Sequence, residues 1–135
     1  DTSTLLKLLV EEEGSDRAAL IWDTADVLAA ASLVTVEARA ALAAATWGRR
    51  LTMQQHRSTK AQLGLLLDEL TTVEVTATLV ERAADLAEEE SLRGYDAVHL
   101  AAALTVGADL LTSADSALCD AAERQGMHVA NPLEG

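Results

Sequence analysis

The chain of 135 residues contains no phenylalanine, one tyrosine and two tryptophans. Any hydrophobic core must therefore be built from alanine, leucine and valine, although half of the residues are apolar. That composition favours helices packed closely through small side chains. The single cysteine, Cys119, excludes an internal disulfide and a cysteine-ligated zinc site. Flanked by Ala117, Leu118, Ala121 and Ala122, it reads as a buried small hydrophobe and not as a nucleophile. No apolar run approaches the roughly 18 uncharged residues of a membrane span. No basic, apolar, small-residue signal pattern opens the chain. These absences point to a cytoplasmic protein of one domain, residues 1–135, with no membrane partner.

Basic residues are also scarce: 10 Lys and Arg stand against 22 Asp and Glu, for a net charge of −12. Taken whole, that balance argues against a polyanionic partner. Its distribution changes the argument. Between Ala38 and Leu67 there is no acidic residue, and the same stretch holds Arg39, Arg49, Arg50, Arg57 and Lys60, with His56 among them. A local basic strip can contact phosphates even in an acidic protein. The alternative is a solvated helix face. The few aromatics exclude recognition of a single strand by repeated base stacking; Trp22 and Trp47 read as core or interface anchors.

Helices and short strands alternate along the chain. Helices are expected over 2–13, 15–23, from Ser32 or Thr35 to Thr46, 52–70, from Thr76 or Thr78 to Glu90, 95–106 and 115–125. Strands are expected over 27–31, 71–75, 109–113 and 128–130. Short apolar strands separated by helices indicate a parallel sheet covered on both faces, with ligands beyond the carboxyl ends of the strands.

Four acidic residues stand beside expected helix starts: Asp1, Glu37, Asp96 and Asp115. Convergence of these carboxylates would suit one hard divalent cation, Mg²⁺ or Mn²⁺, which prefers oxygen ligands and keeps several waters. Such an ion polarises phosphate oxygens and lowers the pKa of a bound water. Each residue also has an ordinary explanation: Asp1 and Asp115 as helix caps, Asp96 as a charge favoured by a helix dipole, Glu37 as a solvated helical residue. Only the joint pattern favours a site. His99 lies one turn after Asp96 and reads as a structural residue packed beneath it. Asp1 opens the sequence with no apolar residues ahead of it. If it ends a strand, that strand precedes the sequence given, which is then trimmed, processed or renumbered at its start.

The motifs carry a family resemblance. Asp1-Thr2-Ser3, Thr35-Val36-Glu37 after a short strand, Tyr95-Asp96-Ala97-Val98-His99-Leu100-Ala101, and Ser113-Ala114-Asp115 after Ala108-Asp109-Leu110-Leu111 follow the order and spacing of PIN-domain ribonucleases. The chain most resembles the VapC toxins of bacterial toxin–antitoxin pairs, over essentially its whole length. The resemblance implies a three-layer α/β/α fold and a Mg²⁺- or Mn²⁺-dependent endoribonuclease. It implies Asp1, Glu37, Asp96 and Asp115 as the catalytic acids, with Asp1, Asp96 and Asp115 as metal ligands and Glu37 bound directly or through water. Ser3 and Ser113 would support them. The usual Thr-x-Asp is here Ser113-x-Asp115, since Thr112 lies three residues before the acid. An RNA substrate and a VapB-like antitoxin inserting a basic side chain are further implications. The apolar stretches Ala38–Trp47 and Leu63–Leu70 are candidates for a homodimer or antitoxin surface. Two other readings stay open: a PIN-domain nuclease of RNA processing outside a toxin system, and a catalytically silent PIN-like binding module.

Overall fold

The computed structural model describes residues 13–24, 28–48 and 51–134. The helix expected over 2–13 lies outside them, apart from its last residue. The described elements run α1 (Ser15–Thr24), β1 (Ala29–Ala31), α2 (Val34–Trp47), α3 (Met53–Glu69), β2 (Thr71–Val73), α4 (Ala77–Glu90), α5 (Gly94–Thr105), β3 (Leu110–Thr112), α6 (Ser116–Arg124) and β4 (His128–Ala130). The expected alternation is reproduced, with the first three strands shorter than the apolar runs that announced them and β4 over the expected residues.

Local chemistry explains most boundaries. Thr52 closes a capping box with Gln55: its hydroxyl accepts from the Gln55 N–H at 3.1 Å, and the Gln55 side chain accepts from the Thr52 N–H at 2.8 Å. Thr76, and not Thr78, caps α4 through the Leu79 N–H. Neither Ser32 nor Thr35 caps α2, contrary to expectation. Its N-cap is Leu33, whose backbone is already helical (φ −57°, ψ −23°), so no extended residue stands there to fold a hydroxyl back onto the first turn. Gly14 is required by contact as well as by its φ of +89°: a Cβ there would meet the Pro132 carbonyl oxygen at 2.9 Å.

Both strand pairs are parallel. β1 pairs with β2 in the register Ala29–Thr71, Ala30–Thr72, Ala31–Val73, and β3 pairs with β4 as Leu110–His128, Leu111–Val129, Thr112–Ala130. Among the described residues these pairs are separate two-stranded sheets. Successive strand residues face opposite sides, and β1 shows the consequence. Ala31 joins a core with Leu79, Leu86, Leu100, Leu111 and Leu118 from the α4–α6 side. Its neighbour Ala30 packs against a second core of Val34, Ala38, Leu42 and Leu63 between α2 and α3. Helices therefore cover both faces, giving three α/β/α layers. Leu66, Leu67 and Leu70 pack on the second core, so this part of the stretch read as a docking surface turns inward.

The tryptophans divide. Trp22 packs on the α2–α3 core and donates its indole N–H to Glu69 Oε2 at 2.8 Å. Trp47 is 87% exposed, so it is not a core residue. Cys119 is buried, as expected, and burial pushes its thiol pKa up, which keeps it protonated and unreactive.

Candidate active site

Helix α5 organises the acidic residues. Arg93 at its N-cap, Asp96 in its first turn and His99 in the next stand at successive three-residue steps, which places neighbours along one stripe. The Arg93 guanidinium donates from Nε to Asp96 Oδ2 at 3.0 Å and from an Nη to Asp115 Oδ2, also at 3.0 Å. One cation thus bridges carboxylates that begin two different helices. The Asp96 hydrogen bond, followed by the charges of Asp96 and Asp115, holds the Arg93 pKa above its ordinary value.

Asp115 is fixed by backbone geometry. It is the N-cap of α6, and its Oδ1 accepts from the N–H groups of Ala117 at 2.9 Å and Leu118 at 3.2 Å. Capping occupies that oxygen and turns Oδ2 toward Arg93. The cap and the site are thus two uses of the same side chain. Ser113, fully buried at the end of β3, accepts from the Asp115 N–H through its Oγ at 3.0 Å. This supports the Ser-x-Asp spacing in physical terms: the hydroxyl sets the turn that presents the acid.

Glu37, one turn into α2, reaches the same stripe from the other side. Its carboxylate hydrogen-bonds Nε2 of His99, whose ring is buried at 6% exposure. The structure therefore brings Glu37, Asp96 and Asp115 to one side of α5 through two intermediaries, His99 and Arg93. His99 is the buried partner the sequence suggested, with the added task of holding Glu37. Arg93 escaped the sequence reading; its signal was the i, i+3 spacing to Asp96.

Asp1 and Ser3 lie outside the described residues, as do Arg49 and Arg50. Among the described residues no three His, Cys, Asp or Glu side chains gather closely enough to hold a metal ion. The donor chemistry nevertheless fits a hard cation, because carboxylate oxygens of Asp96 and Asp115 already converge on one positive group.

The candidate RNA contacts separate in the same way. Arg39 and Lys60 line a groove between α2 and α3 together with His56. Arg57 is exposed on α3 outside that lining. His56 is half-buried and bonds Thr46.

Comparison with known proteins identifies the family. The PIN domain family model matches residues 1–124. Ribonuclease VapC45 of Mycobacterium tuberculosis (strain CDC 1551 / Oshkosh) is 41% identical over 107 residues, covering 79% of this chain and 74% of the relative. Ribonuclease VapC49 of Mycobacterium tuberculosis (strain ATCC 25618 / H37Rv) matches to the same extent. A match over most of the chain places the protein in a family: the chain belongs to the PIN-domain family and, within it, to the VapC ribonucleases.

Proposed function

We propose that this protein is a toxin endoribonuclease that hydrolyses RNA phosphodiester bonds with Mg²⁺ or Mn²⁺ at Asp96, Asp115, Glu37 and Asp1. The observation that carries this reading is the bridged pair Asp96–Arg93–Asp115, an acidic site already shaped around a cation. A bound divalent ion supplies Lewis-acid chemistry, lowering the pKa of a coordinated water and offsetting charge on the phosphate. The chain's own residues do the positioning. Asp96 and the Oδ2 oxygen of Asp115 would hold the ion. Ser113 holds the Asp115 backbone N–H, and the first turn of α6 holds its Oδ1. His99 restrains the Glu37 carboxylate, which can orient a water by accepting its proton in a hydrogen bond.

A cognate, VapB-like antitoxin is the proposed partner. The contact of Arg93 with two carboxylates supports inhibition by an inserted arginine, because a planar guanidinium can engage both acids at once. Exposed Trp47 on α2 offers apolar surface for that antitoxin or for a second copy of the chain.

Incubating purified protein with RNA in Mg²⁺, in EDTA and as the Asp96→Asn variant tests the enzymatic reading. Cleavage is expected with Mg²⁺ only, and loss of the Asp96 carboxylate is expected to reduce it at least 100-fold, on the order of a catalytic electrostatic contact. Cleavage in EDTA, or full activity in the variant, overturns it.

A further inference from the structure

Helices α2 and α3 meet through Val34, Ala38, Leu42 and Leu63 and leave a groove of about 540 Å³ beside that contact. Val36, Ala40 and Ala43 give it apolar surface, and Arg39, His56 and Lys60 supply polar groups. In a protein with 22 acidic and 10 basic side chains, a paired cation is the expectation. Arg93 and Arg124 are paired in this way. Arg39 and Lys60 have no ion-pair partner among the described residues. Both are exposed, and both come from the acid-free stretch. Two uncompensated positive charges therefore share one groove.

His56 adds a directed acceptor. Its Nδ1 lies 2.7 Å from Thr46 Oγ1, and the Thr46 hydroxyl donates to the Leu42 carbonyl oxygen at 3.0 Å. A hydroxyl has one hydrogen to give. Nδ1 must then carry the ring hydrogen and donate to Thr46. In the neutral ring this leaves Nε2 with its lone pair, the nitrogen free to serve the groove.

We propose that this groove is a nucleotide subsite for single-stranded RNA. Arg39 and Lys60 take a phosphate, the apolar wall takes a base, and His56 Nε2 accepts a hydrogen bond from a ribose hydroxyl or base N–H. A volume of about 540 Å³ lies within the range of small-ligand pockets. Arg39 follows Glu37 by two residues, a rotation of about 200° around α2. Arg39 thus leaves α2 on the opposite flank from Glu37, and the phosphate it takes belongs to a neighbouring nucleotide, not to the scissile bond. The proposal rests on the ribonuclease reading and sharpens where its substrate lies.

The test is fluorescence anisotropy of a short labelled single-stranded RNA across a salt series, in EDTA so that metal-dependent cleavage does not intervene. The Arg39→Gln/Lys60→Gln double variant is compared with Arg57→Gln, an exposed cation of α3 outside the groove. Circular dichroism confirms that each variant is folded. The double variant is expected to reduce the slope of log affinity against log salt by about 0.7 to 1.4, with Arg57→Gln leaving it unchanged. An unchanged slope in the double variant, an equal loss in Arg57→Gln, or no RNA binding by the wild type overturns the subsite. A polyglutamate peptide that binds as tightly as RNA, and is lost in the double variant, overturns it in favour of an acidic protein partner. RNA cleavage with an unchanged slope removes the subsite alone. A lost slope without any metal-dependent cleavage removes the nuclease reading alone.

Discussion

Arg93 carries two carboxylates on one guanidinium, and that geometry sets it against any incoming ion. Its side chain is 78% exposed, so its pairings are screened by water and easily exchanged. A divalent cation at Asp96 and Asp115 must take the oxygens that Arg93 now contacts. Arg93→Gln is therefore expected to tighten Mn²⁺ binding about two- to fivefold by calorimetry, the scale of an exposed ion pair. Weaker binding in the variant would show instead that Arg93 organises the carboxylates for the metal. The sequence marked Asp96 and Asp115 through their motifs. It could not mark Arg93 as their common partner, because that bridge joins positions 22 residues apart. His99 was visible one turn from Asp96, whereas its bond to Glu37 spans 62 residues and depends on how α2 packs.

Among the elements, the end of α4 shows how one helix is tied to another. Glu88, Glu89 and Glu90 place negative charge at a helix C-terminus, where the dipole disfavours it. Arg124 at the end of α6 answers with a 2.5 Å hydrogen bond to Glu90, and Gln125 adds another at 3.1 Å. The Arg124 bond first, then the Gln125 bond, lowers the Glu90 pKa below the usual value of 4.5. A depressed carboxylate contributes stability above its unfolded pKa and loses it as pH falls through the folded one. Glu90→Gln is therefore expected to melt below wild type at pH 6, and the difference to shrink as the pH drops below about 4.5. A difference constant down to pH 3 would show that packing, not charge, ties the helices. Element positions were readable where local chemistry sets them, as in the Thr52–Gln55 box and the Asp115 cap. The start of α2 was misread because its entry is set by the turn after β1, with the Ser32 N–H bonded to the Val73 carbonyl across the strand pair, and not by a capping hydroxyl.

For the molecule as a whole, a site that binds metal only when folded must stabilise the fold. At 100 times its dissociation constant, Mn²⁺ is expected to raise the melting temperature by about 5–10 °C, and the Asp96→Asn variant is expected to lose most of that rise. An equal rise in the variant would place the ion elsewhere on this acidic surface. The sequence by itself determined the α/β alternation, the small-residue core and the order of the acidic motifs. Those depend on periodicity, side-chain volume and near neighbours along the chain. Tertiary structure alone decided that Ala30 and Ala31 serve different cores. It also gathered Glu37, Asp96 and Asp115 around α5 and separated Arg39 and Lys60, in a groove, from Arg57 on open surface. Each of those outcomes joins residues distant in sequence, and only the packing of helices on strands sets the distance between them.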